Sequence, residues 1–165
     1  MARRLDEEDV VLRQRPLSLL LGLALLLFAP FVNAQKNLGE LLDAGAKPLS
    51  AEEFRQELVQ RMIVGPTPTG GSIEMVYTPN GLVEGTGGAA PAGIGLIRLR
   101  GEWTVDPKGR ICTSMTTGGP GTSSGPVGVM LPPRCQSWFK LAEKYFLSDS
   151  ETDRSAKVLP RTVKQ

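Results

Sequence analysis

The chain has 165 residues, with 19 basic and 17 acidic side chains, a net charge of +2, two cysteines and no histidine. So even a balance removes the electrostatic case for nucleic acid. The missing histidine excludes Ser-His-Asp and Cys-His catalysis, His-ligated zinc and a histidine pH switch.

Arg13 and Arg15 precede an apolar run from Leu17 to Val32, broken at Pro30, and Val32-Asn33-Ala34 supplies small or modest residues of the kind a signal peptidase reads. This order predicts a secretory signal over residues 1–34, cut between Ala34 and Gln35. The competing reading is an uncleaved inner-membrane anchor. A helix from Leu17 to Val32 spans roughly 24 Å, short of a hydrocarbon core of ~30 Å, and so favours the signal. The acidic block Asp6-Glu7-Glu8-Asp9, atypical before a signal, keeps the anchor open. Export implies a periplasmic or secreted product.

Residues 35–47 read as a linker or a short helix from Leu38 to Leu42. The next element is better marked. Ser50 and Glu53 form a Ser-x-x-Glu capping box, and Leu49 and Phe54 are placed as a hydrophobic staple. Phe54, Leu58 and Met62 recur every four residues, predicting an amphipathic helix from Ala51 to Met62.

Alternation then predicts strands. Ile73–Tyr77 and Leu82–Glu84 flank a Thr78-Pro79-Asn80-Gly81 turn. In Ile97–Val105 the residues Ile97, Leu99, Trp103 and Val105 point inward, with Gly101 between them. Asp106-Pro107-Lys108-Gly109 reads as a type I turn, and a Gly109 bulge would set Val105 opposite Ile111 and Trp103 opposite Thr113. Ile111 and Met115 then face inward and Cys112 away. Val127–Leu131, Arg134–Leu141 and Tyr145–Leu147 complete the set. The glycine-rich blocks Gly85–Gly93 and Gly118–Pro126 read as loops. Residues 148–165 read as a disordered polar tail whose cations (Arg154, Lys157, Arg161, Lys164) are solvated. The folded part is therefore placed at 48–147. The fold class is mainly β, α+β by count: one N-terminal helix packed on an antiparallel sheet of about six strands, sandwich or barrel.

An even cysteine count in an exported chain predicts a Cys112–Cys135 disulfide. Its loop would contribute about 3.4 kcal/mol in the chain-entropy account. The alternative is two free thiols.

Chemistry is sparse. Neither glycine block has the Gly-x4-Gly-Lys-Ser/Thr form or leads into a helix, so neither is a phosphate loop. Glu74, Glu84 and Glu102 are the carboxylates that could serve an acid–base pair, although all are placed on outward positions. Arg98, Arg100 and Glu102 share that outer face, as a solubilising row or an anion patch. Trp103 and Trp138 read as core anchors, with a ligand platform as the alternative. No catalytic residue, metal or cofactor is implied. The function expected is an exported, non-enzymatic module binding a periplasmic protein or small ligand. The rival is a carboxylate-dependent enzyme acting on envelope material.

The order Gly101-Glu102-Trp103, turn, Gly109-Arg110-Ile111-Cys112, loop, Cys135-Gln136-Ser137-Trp138 resembles small exported proteobacterial proteins whose function is not established. Their pattern often begins with a Leu-Ser/Thr-x-x-Glu helix like Leu49–Glu53. The resemblance implies a periplasmic setting and framework roles for Trp103, Cys112 and Cys135. More distantly, the Gly-x-Trp strand is similar to that of the calycin barrels, lipocalins and periplasmic metalloprotease inhibitors. In those the motif opens the barrel, whereas Trp103 follows at least two strands. This likeness implies a calycin-like barrel and, as a further alternative, a protease inhibitor.

Overall fold

The computed structural model describes residues 35–88, 97–118 and 128–164. The segment expected to direct export, Ala34 included, lies outside the described residues, as do 89–96 and 119–127, which take in parts of the two glycine blocks.

Among the described residues two short helices and ten strands follow one another: α1 (Leu38–Asp43), β1 (Lys47–Pro48), α2 (Ala51–Leu58), β2 (Met62–Pro66), β3 (Ser72–Tyr77), β4 (Leu82–Gly88), β5 (Ile97–Val105), β6 (Ile111–Gly118), β7 (Val129–Met130), β8 (Arg134–Leu141), β9 (Lys144–Ser148) and β10 (Val158–Lys164). From β2 to β6 each strand pairs antiparallel with the next, as do β8, β9 and β10. Two further pairings join the ends, β10 with β2 and β6 with β8. Eight strands thus close into an antiparallel barrel, which removes open edges from the main sheet. The expectation of about six strands is too low. Two of the eight barrel strands escaped it, β2 and β10, as did the two-residue β1 beside β8.

Both omissions from the barrel have physical causes. The helix stops at Leu58, not Met62. Val59 is already extended, bridges Tyr77, and is followed by Gln60 in the left-handed region at φ 65°. Met62 therefore starts β2, facing outward and 41% exposed. The polar tail is also ordered. The first N–H groups of α1 donate to it, Leu38 N to Ala156 O and Gly39 N to Arg154 O, both at 2.8 Å. Val158–Lys164 then pairs with β9 in its first half and β2 in its second. Gly85–Gly88, expected in a loop, lies in β4.

The hairpin between β5 and β6 has the register the turn residues predict, Val105 opposite Ile111 and Trp103 opposite Thr113. Gly109, at φ 82°, supplies the left-handed bulge. At Gly101, and likewise at Gly85, a side chain would run into the neighbouring strand, against Ser114 O and Glu74 O respectively. These two inward positions let the strands bend tightly enough to close.

The register sorts the side chains onto two faces. Inside the barrel are Ile63, Met75, Tyr77, Val83, Trp103, Ile111, Trp138, Leu147 and Leu159, joined by Phe54 and Leu58 of α2. Outside, Phe139, Phe146 and Val158 form a second cluster covered by Leu38 and Leu41 of α1. Leu38–Asp43 is thus a short helix rather than a linker, capped by Asn37, whose side chain accepts from Glu40 N at 2.9 Å.

Candidate functional site

The helix α2 places its apolar side in the barrel. Its first turn has the reciprocal cap: Ser50 N donates to Glu53 Oε2 at 2.8 Å and Glu53 N to Ser50 Oγ at 3.2 Å. That fixes the entry of the chain so that Phe54 arrives centrally. Its ring lies 5.2 Å from Tyr77, 5.4 Å from Trp103 and 5.3 Å from Trp138. Trp103 donates its indole N–H to Thr78 O at 2.9 Å. Both tryptophans are buried, so these rings fill the interior rather than wait for a ligand.

On its outer side α2 is held by Glu57. A single oxygen, Oε2, accepts from Lys140 Nζ and from Tyr145 OH, each at 2.7 Å. The Lys140 hydrogen bond, then that of Tyr145, holds the Glu57 carboxyl below its ordinary value against the opposing effect of burial. The same hydrogen bond raises Lys140, while Tyr145 is raised by burial first and by Glu57 second.

The carboxylates singled out from the sequence are not brought into one enclosed site. Glu74, on β3, pairs with Lys164 of β10. Glu84, on β4, lies 3.9 Å from Arg100 of β5. Both line an open groove of about 530 Å³ on the outer face, together with Arg98 and Arg100. Glu102 is not among its walls.

Cys112 and Cys135 form a disulfide across the β6–β8 junction, where they are directly opposed. The Asp106 carboxylate is near both sulfurs. It is already engaged by Arg110 Nε at 2.8 Å and by the backbone N–H groups of Lys108 and Arg110 at 2.9 Å. Bonded sulfur is not a thiolate ligand, so this cluster is framework and not a metal site.

Comparison with models of known families, with curated proteins and with solved structures finds no match.

Sequence reasoning missed two features. Arg161, assigned to a solvated tail, is 6% exposed and points into the barrel. Its Nη1 donates to Pro66 O at 3.0 Å and Pro160 O at 2.8 Å, while Nε has no partner. Burial lowers its affinity for the proton, and burial also pushes the Tyr77 phenol up to about 12. The signal was faint. An inward cation interrupts the alternation of Leu159 and Val163. The second feature is a groove of about 590 Å³ at the foot of α2, walled by Arg55, Gln56, Gln60 and Arg61 from one side and Pro79 from the other, with the Trp103 edge and Val59 at its base. Its residues come from three separated segments, so no local motif announces it.

Proposed function

We propose that the chain is an exported, non-enzymatic binding module of the bacterial periplasm, built on a calycin-like barrel and contacting a protein partner through its outer surface. The observation that carries this reading is the filled interior. Phe54, Tyr77, Trp103 and Trp138 occupy the space in which a ligand carrier would hold its cargo, under a helix fastened by Glu57. What remains for recognition is the exterior, where open grooves lie. The eight-stranded antiparallel closure is consistent with a calycin-like fold, and the disulfide with an oxidising, exported location. No helix among the described residues is long and apolar enough to cross a membrane. The compact unit begins at Gln35, the residue that cleavage after Ala34 would expose. Inhibition of a protease is the special case that the calycin likeness suggests.

One observation favours the enzymatic rival: Glu74 and Glu84 line the same outer groove. Each faces a cation in a solvent-open setting, an arrangement suited to a charged surface more than to two carboxyls with separated proton affinities. Complementation of a deletion strain separates the readings. The Glu74→Gln, Glu84→Gln, Glu102→Gln triple variant is expected to restore the phenotype fully. Loss of rescue with an unchanged melting temperature transfers the function to a carboxylate pair.

A further inference from the structure

From the groove at the foot of α2 we infer a docking site for an acidic peptide segment of the partner protein; the inference rests on the binding-module reading. The walls of the groove contain no acidic residue among those described, and two arginines, Arg55 and Arg61, line it. Arg55 shares its charge with Glu52 at 3.9 Å, both side chains being at least half exposed. It also sits in the last turn of α2, where a cation complements the helix dipole. Arg61 has neither arrangement: it is exposed and has no carboxylate within 4.0 Å among the described residues. The groove therefore offers one uncommitted cation and one that an incoming carboxylate can take over from a weak surface pair.

The remaining walls suit a peptide backbone. Gln60 is held in the left-handed region at φ 65°, its own N–H donating to Tyr77 O at 2.8 Å. A long side chain in that conformation carries a backbone cost, which the chain accepts and which leaves the amide exposed with both a donor and an acceptor. Below it, Val59, Pro79 and the edge of Trp103 give an apolar base on which the stem of a Glu side chain can lie. The floor is rigid because the Trp103 ring is anchored by Thr78 and packed on Phe54. A preformed base with cations at the rim favours capture of an extended acidic segment without reorganisation of the barrel.

The test uses the isotope-labelled chain purified after export, titrated in an NMR experiment with acetylated, amidated hexaglutamate. Hexaglutamine, hexalysine and oligogalacturonate serve as comparisons. Expected are shift changes confined to Val59–Arg61, Pro79 neighbours and the Trp103 indole N–H, weaker at higher salt and absent with hexaglutamine and hexalysine. The R55E/R61E variant is expected to bind at least tenfold more weakly with an unchanged melting temperature, whereas R98E/R100E on the other groove, which shares no lining residue with this one, binds as before. R55Q/R61Q serves if the charge reversals do not fold. Shifts that map elsewhere, affinity that survives both Arg55/Arg61 variants, or equal binding of oligogalacturonate would each overturn the assignment. Cross-linking in the periplasm distinguishes the two levels of failure. A defined partner held equally by wild type and R55E/R61E rejects the groove and keeps the binding module, while no defined partner for wild type rejects the module itself.

Discussion

Trp103 ties β5 to β3, to α2 and to the turn after β3: its ring lies 6.0 Å from Tyr77 and 5.4 Å from Phe54, and its indole N–H is spent on Thr78 O. Removing it opens a cavity that these rigid rings cannot refill, and takes from Thr78 O one of its two donors, the other being Gly81 N. Trp103→Ala is therefore expected to lower stability by about 3–5 kcal/mol in urea unfolding. A loss within ~0.5 kcal/mol, the size of a surface change, would mean the ring is not core. Trp103 was legible because an apolar residue on an alternating strand has one reasonable destination. Arg161 was not, because the same rule sends a charge outward. Here the cation is tolerated inside because Pro66 O and Pro160 O accept from it, and because Gly65 leaves the space its guanidinium occupies. The Pro66 acceptor and the Gly65 space lie on a strand that only tertiary structure brings beside Arg161.

At the scale of elements, α2 is both the most legible and the most misjudged part of the chain. Its start was readable to the residue, since Ser50 and Glu53 form a local cap. Its end was not. Phe54, Leu58 and Met62 continue a helical spacing, yet Val59 leaves the helix to bridge Tyr77, a contact with no local signature. Nor was the Glu57–Lys140–Tyr145 cluster visible, because Glu57 lies more than eighty residues before both of its partners. The cluster has a pH signature. The folded Glu57 carboxyl titrates below its ordinary 4.5. Its contribution is thus present above pH 4.5 and lost as pH falls through the lower folded value. Lys140 is raised above 10.5 in the fold, so its share is full below 10.5 and is lost as pH rises through the folded value. Glu57→Gln is expected to cost about 1 kcal/mol near neutrality, these side chains being partly exposed. It should also flatten part of the acid limb in a plot of melting temperature against pH. An acid limb identical to wild type would show that the carboxylate does not fasten α2.

For the whole molecule, the barrel depends on two closures of different character. The β6–β8 closure has three register pairs, Ile111 with Gln136, Cys112 with Cys135 and Thr113 with Arg134, and the central pair is covalent. The β10 closure has no covalent link, but every residue from Val158 to Lys164 is paired, the first four to β9 and the last three to β2. Leu159 also enters the core, and Val158 seats α1. Loss of the disulfide releases the unfolded chain while the ladder and packing of the folded state persist. Loss of β10 exposes two strand edges and both apolar clusters together. Cys112→Ser with Cys135→Ser is accordingly expected to lower stability by about 2–4 kcal/mol and to leave a cooperative transition. Its amide exchange should quicken chiefly at Ile111–Thr113 and Arg134–Gln136. A chain ending at Lys157 should instead lose its near-ultraviolet circular dichroism and associate, since β9 and β2 each lose one of their two neighbours. If the shortened chain stays monomeric with a native spectrum, residues 158–164 are an appendage, and the barrel closes without them.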